Sequence, residues 1–187
     1  MPYSKQMEFS IPWQNWNVNN VQYGIRQTNT RITDGLFIPI YYNERYIRCQ
    51  ALHLYTPELI IKEIVSLTNG TYAVVEIDKN SPFFEKILEF EQQNQNLADK
   101  NKSTWWSENI NPIYKSAFSK STSSMLWHIQ IPDSGIFSCY DTQRKSWYAS
   151  NEEGLKEKKW RLLARTSGVW VDSTSYGIDW KIIGAFV

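Results

Sequence analysis

Seven basic residues lie between positions 144 and 165: Arg144, Lys145, Lys156, Lys158, Lys159, Arg161 and Arg165. Three acids, Glu152, Glu153 and Glu157, stand against them, and Trp147, Tyr148 and Trp160 are interleaved. Cations along a track hold phosphates, and flat aromatic faces stack on unpaired bases at ~1–3 kcal/mol per base, whatever the base. The expectation is a surface for single-stranded nucleic acid. Lys156, Lys158, Lys159, Arg161 and Arg165 would take phosphates, with Arg144 and Lys145 beside them. Trp147, Tyr148, Trp160 and Tyr42 would stack on bases. The competing account is a solvated lysine-rich loop beside ordinary core aromatics.

A second cluster holds Tyr41, Tyr42, Arg45, Tyr46 and Arg48. Period two in a strand sends Tyr41 and Tyr42 to opposite faces, so one of them faces outward. Tyr42, Arg45 and Arg48 therefore join the candidate surface, the alternative being an amphipathic sheet edge. Trp105 and Trp106 are adjacent and cannot point the same way; one is expected in the core, and the other is a candidate platform at a loop. Trp170 and Trp180 are expected to pack a barrel.

Other chemistries are poorly supplied. Cys49 and His53 lie four apart without a matching second pair, whereas zinc sites draw on tight pairs. In a strand that spacing is ~13 Å. No metal and no cofactor is expected. Serines are plentiful, but there is no G-x-S-x-G elbow, no phosphate-cradling glycine loop, and only two histidines to act as bases. Glu76, Asp78, Glu85, Glu89 and Glu91 read as solvent-facing acids rather than a magnesium site for a nuclease. The chain is expected not to be an enzyme.

The elements that must position these residues are mostly strands. Residues 1–34 are polar and Asn/Gln-rich, with Trp13, Trp16 and Tyr23 spaced through them, and read as an irregular arm. Leu36–Tyr42, a turn at Asn43-Glu44 and a strand from Arg45 to Tyr55 form a predicted hairpin. Pro57 punctuates before Leu59–Leu67, and Thr68-Asn69-Gly70 turns into Tyr72–Ile77. Ser81 is a fair N-cap and Pro82 suits the first helical position, with Phe83, Ile87 and Phe90 at helical spacing. A second helix is predicted within 105–118, with Ile110, Ile113, Tyr114 and Phe118 on its apolar face. Strands return at Met125–Ile131, Ile136–Tyr140, Trp147-Tyr148, Lys158–Arg165, Val169–Val171 and Ile178–Ile183. The pattern predicts a mainly β protein: an OB-fold-like antiparallel β-barrel with one or two inserted α-helices. Residues 35–187 would form one domain, with the helical insertion at about 81–118.

Composition agrees with one folded domain. Nine tryptophans in 187 residues are more than a core readily absorbs, because each ring needs a partner for its polar tip. A formal net charge of +1 requires any basic groove to be local and offset elsewhere, for example by the acids of 76–91. Two cysteines make no disulfide framework, and neither a signal sequence nor a membrane span is visible, which predicts a soluble intracellular protein.

Three stretches carry a family likeness. Phe37-Ile38-Pro39-Ile40-Tyr41-Tyr42-Asn43 precedes Leu54-Tyr55-Thr56-Pro57-Glu58-Leu59. Phe83-Phe84-Glu85-Lys86-Ile87 leads to Trp105-Trp106. Gly168-Val169-Trp170-Val171 is followed by Tyr176-Gly177-Ile178-Asp179-Trp180-Lys181. In this order, across about 35–185, the chain resembles the single-stranded DNA-binding proteins of large double-stranded DNA viruses, OB-fold proteins akin to the phage T7 type. The resemblance implies coating of exposed DNA strands without sequence preference during replication, recombination or repair. It also implies replication proteins as partners, a possible homodimer, and a host nucleus or cytoplasmic replication site. T7-type proteins end in an acidic tail that recruits partners. This sequence ends Gly184-Ala185-Phe186-Val187, so tail-mediated recruitment is not expected. The reading from another class is a structural or protein-interaction β-domain, whose aromatics form a contact patch. A third is a carbohydrate-binding sandwich.

Overall fold

The computed structural model describes residues 10–32, 34–45, 47–106, 110–132, 137–140, 146–149 and 158–186, with the backbone alone at 47, 137, 138, 140 and 146–149. Five strands close a barrel: β1 (Leu52–Leu67), β2 (Gly70–Ile77), β3 (Met125–Gln130), β4 (Lys159–Val171) and β5 (Ser175–Phe186). Their order around the ring is β1-β2-β3-β5-β4, with β4 returning to β1. Every pairing in the ring is antiparallel except β3–β5, which closes it in parallel through Gln130 and Lys181. This is the mainly β, OB-like barrel that the strand and turn signals predict. Its helices sit between β2 and β3.

Pro57 does not end a strand. Proline lacks the N–H that a sheet ladder needs and survives in strands at bulges. Here the β1–β4 register shifts between Arg161 and Leu163, opposite Glu58 and Tyr55, and the Leu162 N–H donates to Thr56 Oγ1 at 2.8 Å. A side chain supplies the acceptor at the proline kink, and one 16-residue strand runs through it.

The first hairpin turns two residues later than Asn43-Glu44. Asn43 pairs with Arg48 and Glu44 with Ile47, and the reversal uses Arg45 at φ 51°. The second predicted helix is largely replaced by extended chain. After α1 (Pro82–Lys100), α2 spans only Lys102–Trp105. Ile113–Tyr114 then pairs with β5, and Phe118–Lys120 with β3. The apolar spacing of 110–118 fitted a helix, but two sheet edges offered hydrogen bonds there, and Pro112 is a poor helix interior residue.

Helix α1 begins where its signals predict. Ser81 Oγ accepts from Phe84 N at 3.2 Å, and Pro82 occupies the first turn. Its apolar face plugs one end of the barrel, with Phe83 6.0 Å from Trp127 and Phe90 5.8 Å from Trp180. Phe90 also meets Trp16 at 5.4 Å. Residues 11–23 of the expected arm thus belong to the same core through Ile11, Trp16, Val18 and Val21. The two strands of the terminal hairpin differ in what their tryptophans do. Trp180 is buried in the core, whereas Trp170 is half-buried and lies over Gly177, leaving no room there for a Cβ.

Candidate nucleic-acid interface

The alternation of β4 sorts the basic segment residue by residue. Trp160, Leu162, Ala164 and Thr166 point inward and are fully buried, while Lys159, Arg161, Leu163 and Arg165 point outward. Trp160 is therefore a core residue, not a stacking platform. Tyr42 is corrected in the same way: it is 0% exposed, with its hydroxyl within 3.4 Å of Asn17 N, Asn20 Nδ2 and Glu44 Oε2. The outward tyrosine of that strand is Tyr41, with the Arg48 guanidinium 5.0 Å from its ring centroid. Trp105 and Trp106 are both buried, edge to face at 6.3 Å, so neither offers a loop platform.

Lys158, Lys159 and Arg161 are exposed, and two of them border a groove of about 690 Å³. Its walls include Trp13, Tyr55, Pro57, Glu58, Lys159 and Arg161. Trp13 and Tyr55 are half-buried, leaving ring surface at the groove. Tyr55 packs against Phe186 with centroids 5.0 Å apart. Register places these aromatics beside the cations: Arg161 pairs with Glu58 on β1 and Phe186 on β5, and Leu163 with Tyr55. The outer face of β1, β4 and β5 thus carries a central column of cations flanked by rings.

Among the described residues, Glu58 is the one acid lining this groove. Its carboxylate lies 3.5 Å from Arg161 Nη2, with both side chains more than half exposed. Solvent screens such a pair, which contributes ~0–1 kcal/mol to stability. Arg161 is therefore available to exchange the carboxylate for a phosphate.

The strand face that OB barrels commonly offer, β2–β3, has different chemistry here. Lys62 pairs with Glu76 at 2.7 Å, and the bonds from Lys62 and Ser124 hold the Glu76 carboxyl below its usual range. Beside it, Ser119 Oγ and His128 Nε2 are 2.8 Å apart, a nucleophile–base distance. Among the described residues no carboxylate pairs with that ring to orient it. A larger groove of about 940 Å³ runs between Val21–Arg26 and the ends of the two helices, and among the described residues Arg26 is the single charged one on its wall.

Arg45 and Arg48 are exposed but line neither groove. Arg144, Lys145 and Lys156 lie outside the described residues. Trp147 and Tyr148 belong to a strand, Ser146–Ala149, that pairs with Phe137–Tyr140; the latter runs parallel to the end of β5. The sequence reading missed Trp13, Tyr55 and Phe186 as members of the surface. Trp13 stood in a supposed arm and Tyr55 beside a proline. Only the wrapping of 11–15 around β1 shows that they flank Lys159 and Arg161.

No family model matches the sequence, and no curated protein and no solved structure matches it. What the site can do is argued from its own residues.

Proposed function

We propose that this protein binds single-stranded nucleic acid, without sequence preference and without catalysing a reaction, along the outer face of β1, β4 and β5. The observation that carries the reading is the groove where Lys159 and Arg161 meet the half-buried rings of Trp13 and Tyr55. Cations at alternate positions on one strand repeat every ~7 Å and can follow a backbone. Rings beside them accept any base. Coating of viral-type DNA intermediates is the biological role that the family resemblance suggests for such a surface.

Titration of the protein with oligo-dT at several salt concentrations tests this, with intrinsic tryptophan fluorescence and the anisotropy of a labelled strand as readouts. Quenching together with a log–log decline of affinity with salt is expected, because each phosphate contact releases counterion. Binding that ignores salt, or no binding at low salt, overturns the reading. A protein-interaction domain is the second reading, favoured by Ile25, 89% exposed on the rim of the larger groove.

A further inference from the structure

We propose that Arg165 and Lys181 form a seat for a phosphate group, beyond the groove and on the same outer face. The two residues are direct cross-strand partners on β4 and β5. Both point outward, because Ala164 and Thr166 on one strand and Trp180 and Ile182 on the other are buried. Like charges placed directly opposite each other destabilise a sheet. An anion between them reverses the sign of that interaction.

The polar groups around the pair leave hydrogen-bonding capacity for such an anion. Arg165 Nε is buried without a hydrogen-bond partner, and among the described residues no carboxylate pairs with its guanidinium. A guanidinium holding a buried, unmet donor carries a desolvation cost that a phosphate oxygen would remove. Lys181 pairs with Asp179 at 3.5 Å, and Asp179 also accepts from Ser167 Oγ at 3.3 Å. Among the described residues, Asp179 is thus the one carboxylate paired with either cation.

The same register row continues from Lys181 to Gln130 on β3 and Tyr72 on β2, and from Arg165 to His53 on β1. An amide and a phenol stand beside the pair. Burial and the neighbouring Asp179 both raise the Tyr72 pKa, so its hydroxyl keeps its proton and remains a donor at neutral pH. Along β4, Arg165 lies four residues beyond Arg161, ~13 Å at strand spacing. Tyr55, opposite Leu163, lies between the two, and Phe186, opposite Arg161, packs on its ring. A strand leaving the groove past those rings reaches the seat, and in this respect the assignment rests on the nucleic-acid reading.

The test compares wild type with Lys181→Gln and Arg165→Gln in oligo-dT titrations across salt, with Lys62→Gln as a control on the other face. Near-UV circular dichroism checks that each variant is folded. Lys181 is solvent-accessible enough for its variant to fold, so it carries the test if Arg165→Gln does not. Each seat variant should show a shallower slope of log affinity against log salt, by ~0.7 for one lost single-strand contact. Lys62→Gln should match wild type.

If wild type binds in a salt-dependent way and the slope of Lys181→Gln is unchanged, the seat is overturned while the nucleic-acid reading stands. A parallel arm uses inorganic phosphate, read as a rise in Tm. If wild type binds no oligonucleotide but phosphate raises its Tm and not that of Lys181→Gln, the seat holds free phosphate and the nucleic-acid reading fails. If neither ligand distinguishes wild type from Lys181→Gln, the seat is refuted.

Discussion

Lys86 on α1 holds Trp13 at the groove: its Nζ donates to the Trp13 carbonyl at 3.2 Å and lies 6.0 Å from the centroid of the indole ring. The same ammonium donates to the carbonyls of Gln14 at 2.7 Å and Trp16 at 3.0 Å. Three carbonyls of a short 3-10 turn and the residue that ends it thus converge on one cation, fixing the N-terminal segment to the helix that plugs the barrel. Hydrogen bonds to a charged group contribute ~1.5–3 kcal/mol each, and bonds sharing one donor fall well short of adding. Lys86→Met should lower stability by about 2 kcal/mol on that scale. It should also weaken oligo-dT binding, because Trp13 loses its anchor. Urea unfolding gives the first quantity, as a lower midpoint at unchanged slope, and a midpoint equal to wild type would refute the anchoring role.

The sorting of aromatics by strand alternation predicts opposite phenotypes for two rings. Trp160→Ala empties a buried site and should cost ~3–5 kcal/mol of stability. Tyr55→Ala removes a half-exposed ring at the groove, and should lose binding by the worth of about one stack, ~1–3 kcal/mol, or roughly 5- to 150-fold in affinity. Since Tyr55 also packs on Phe186, Tyr55→Leu serves as a variant that keeps apolar contact while removing the flat face. The comparison is read from paired thermal unfolding and titration. A folded Tyr55→Leu protein that binds as wild type does would remove Tyr55 from the interface.

Much of the barrel is legible in the sequence because it rests on local chemistry. Ser81 and Pro82 mark the start of α1, and Thr68-Asn69-Gly70 the β1–β2 turn, with Gly70 at φ 141°. The failures share a different cause. Ile113 and Phe118 fit a helical spacing but were claimed by the edges of β5 and β3, partners distant in sequence. Of the candidate site, the cations Lys158, Lys159, Arg161 and Arg165 proved to face outward. Tyr42 and Trp160 did not: composition shows that rings and charges are mixed and not which face each ring takes. Trp13 reaches the surface through a parallel pairing of Ile11–Pro12 with Leu54 and Tyr55, a contact across more than forty residues.

Glu58 competes with any phosphate for Arg161, since its carboxylate occupies the position 3.5 Å from Nη2. Glu58→Gln removes one negative charge from the groove and frees the guanidinium. Oligo-dT affinity should therefore rise several-fold at low salt, where exposed charges within ~10 Å are least screened, and the gain should shrink as salt increases. Stability should change by less than about 1 kcal/mol, because the pair is exposed. Affinity that falls instead would mean that Glu58 positions Arg161 rather than opposing the ligand.

Glu91 supplies a pH signature for the helix plug. It is buried on α1, where it accepts from Tyr114 Oη at 2.8 Å and from Ser116 Oγ at 2.8 Å. These bonds tie the helix to the segment that pairs with β5 and β3. Burial pushes the carboxyl upward and outweighs the hydroxyl bonds, which pull it down, so its pKa in the folded protein is raised. The folded state then binds the proton more tightly than the unfolded chain does. The stabilisation is fully present below the ordinary glutamate value, about 4.3, and is lost as pH climbs through the raised folded value. Glu91→Gln is neutral at every pH and can still bond both hydroxyls, so it lacks this dependence. Wild-type stability minus that of Glu91→Gln, from urea unfolding across pH, should decline as pH rises through this window and then level off. A difference that grows with pH would show that the hydroxyls, not burial, dominate at Glu91.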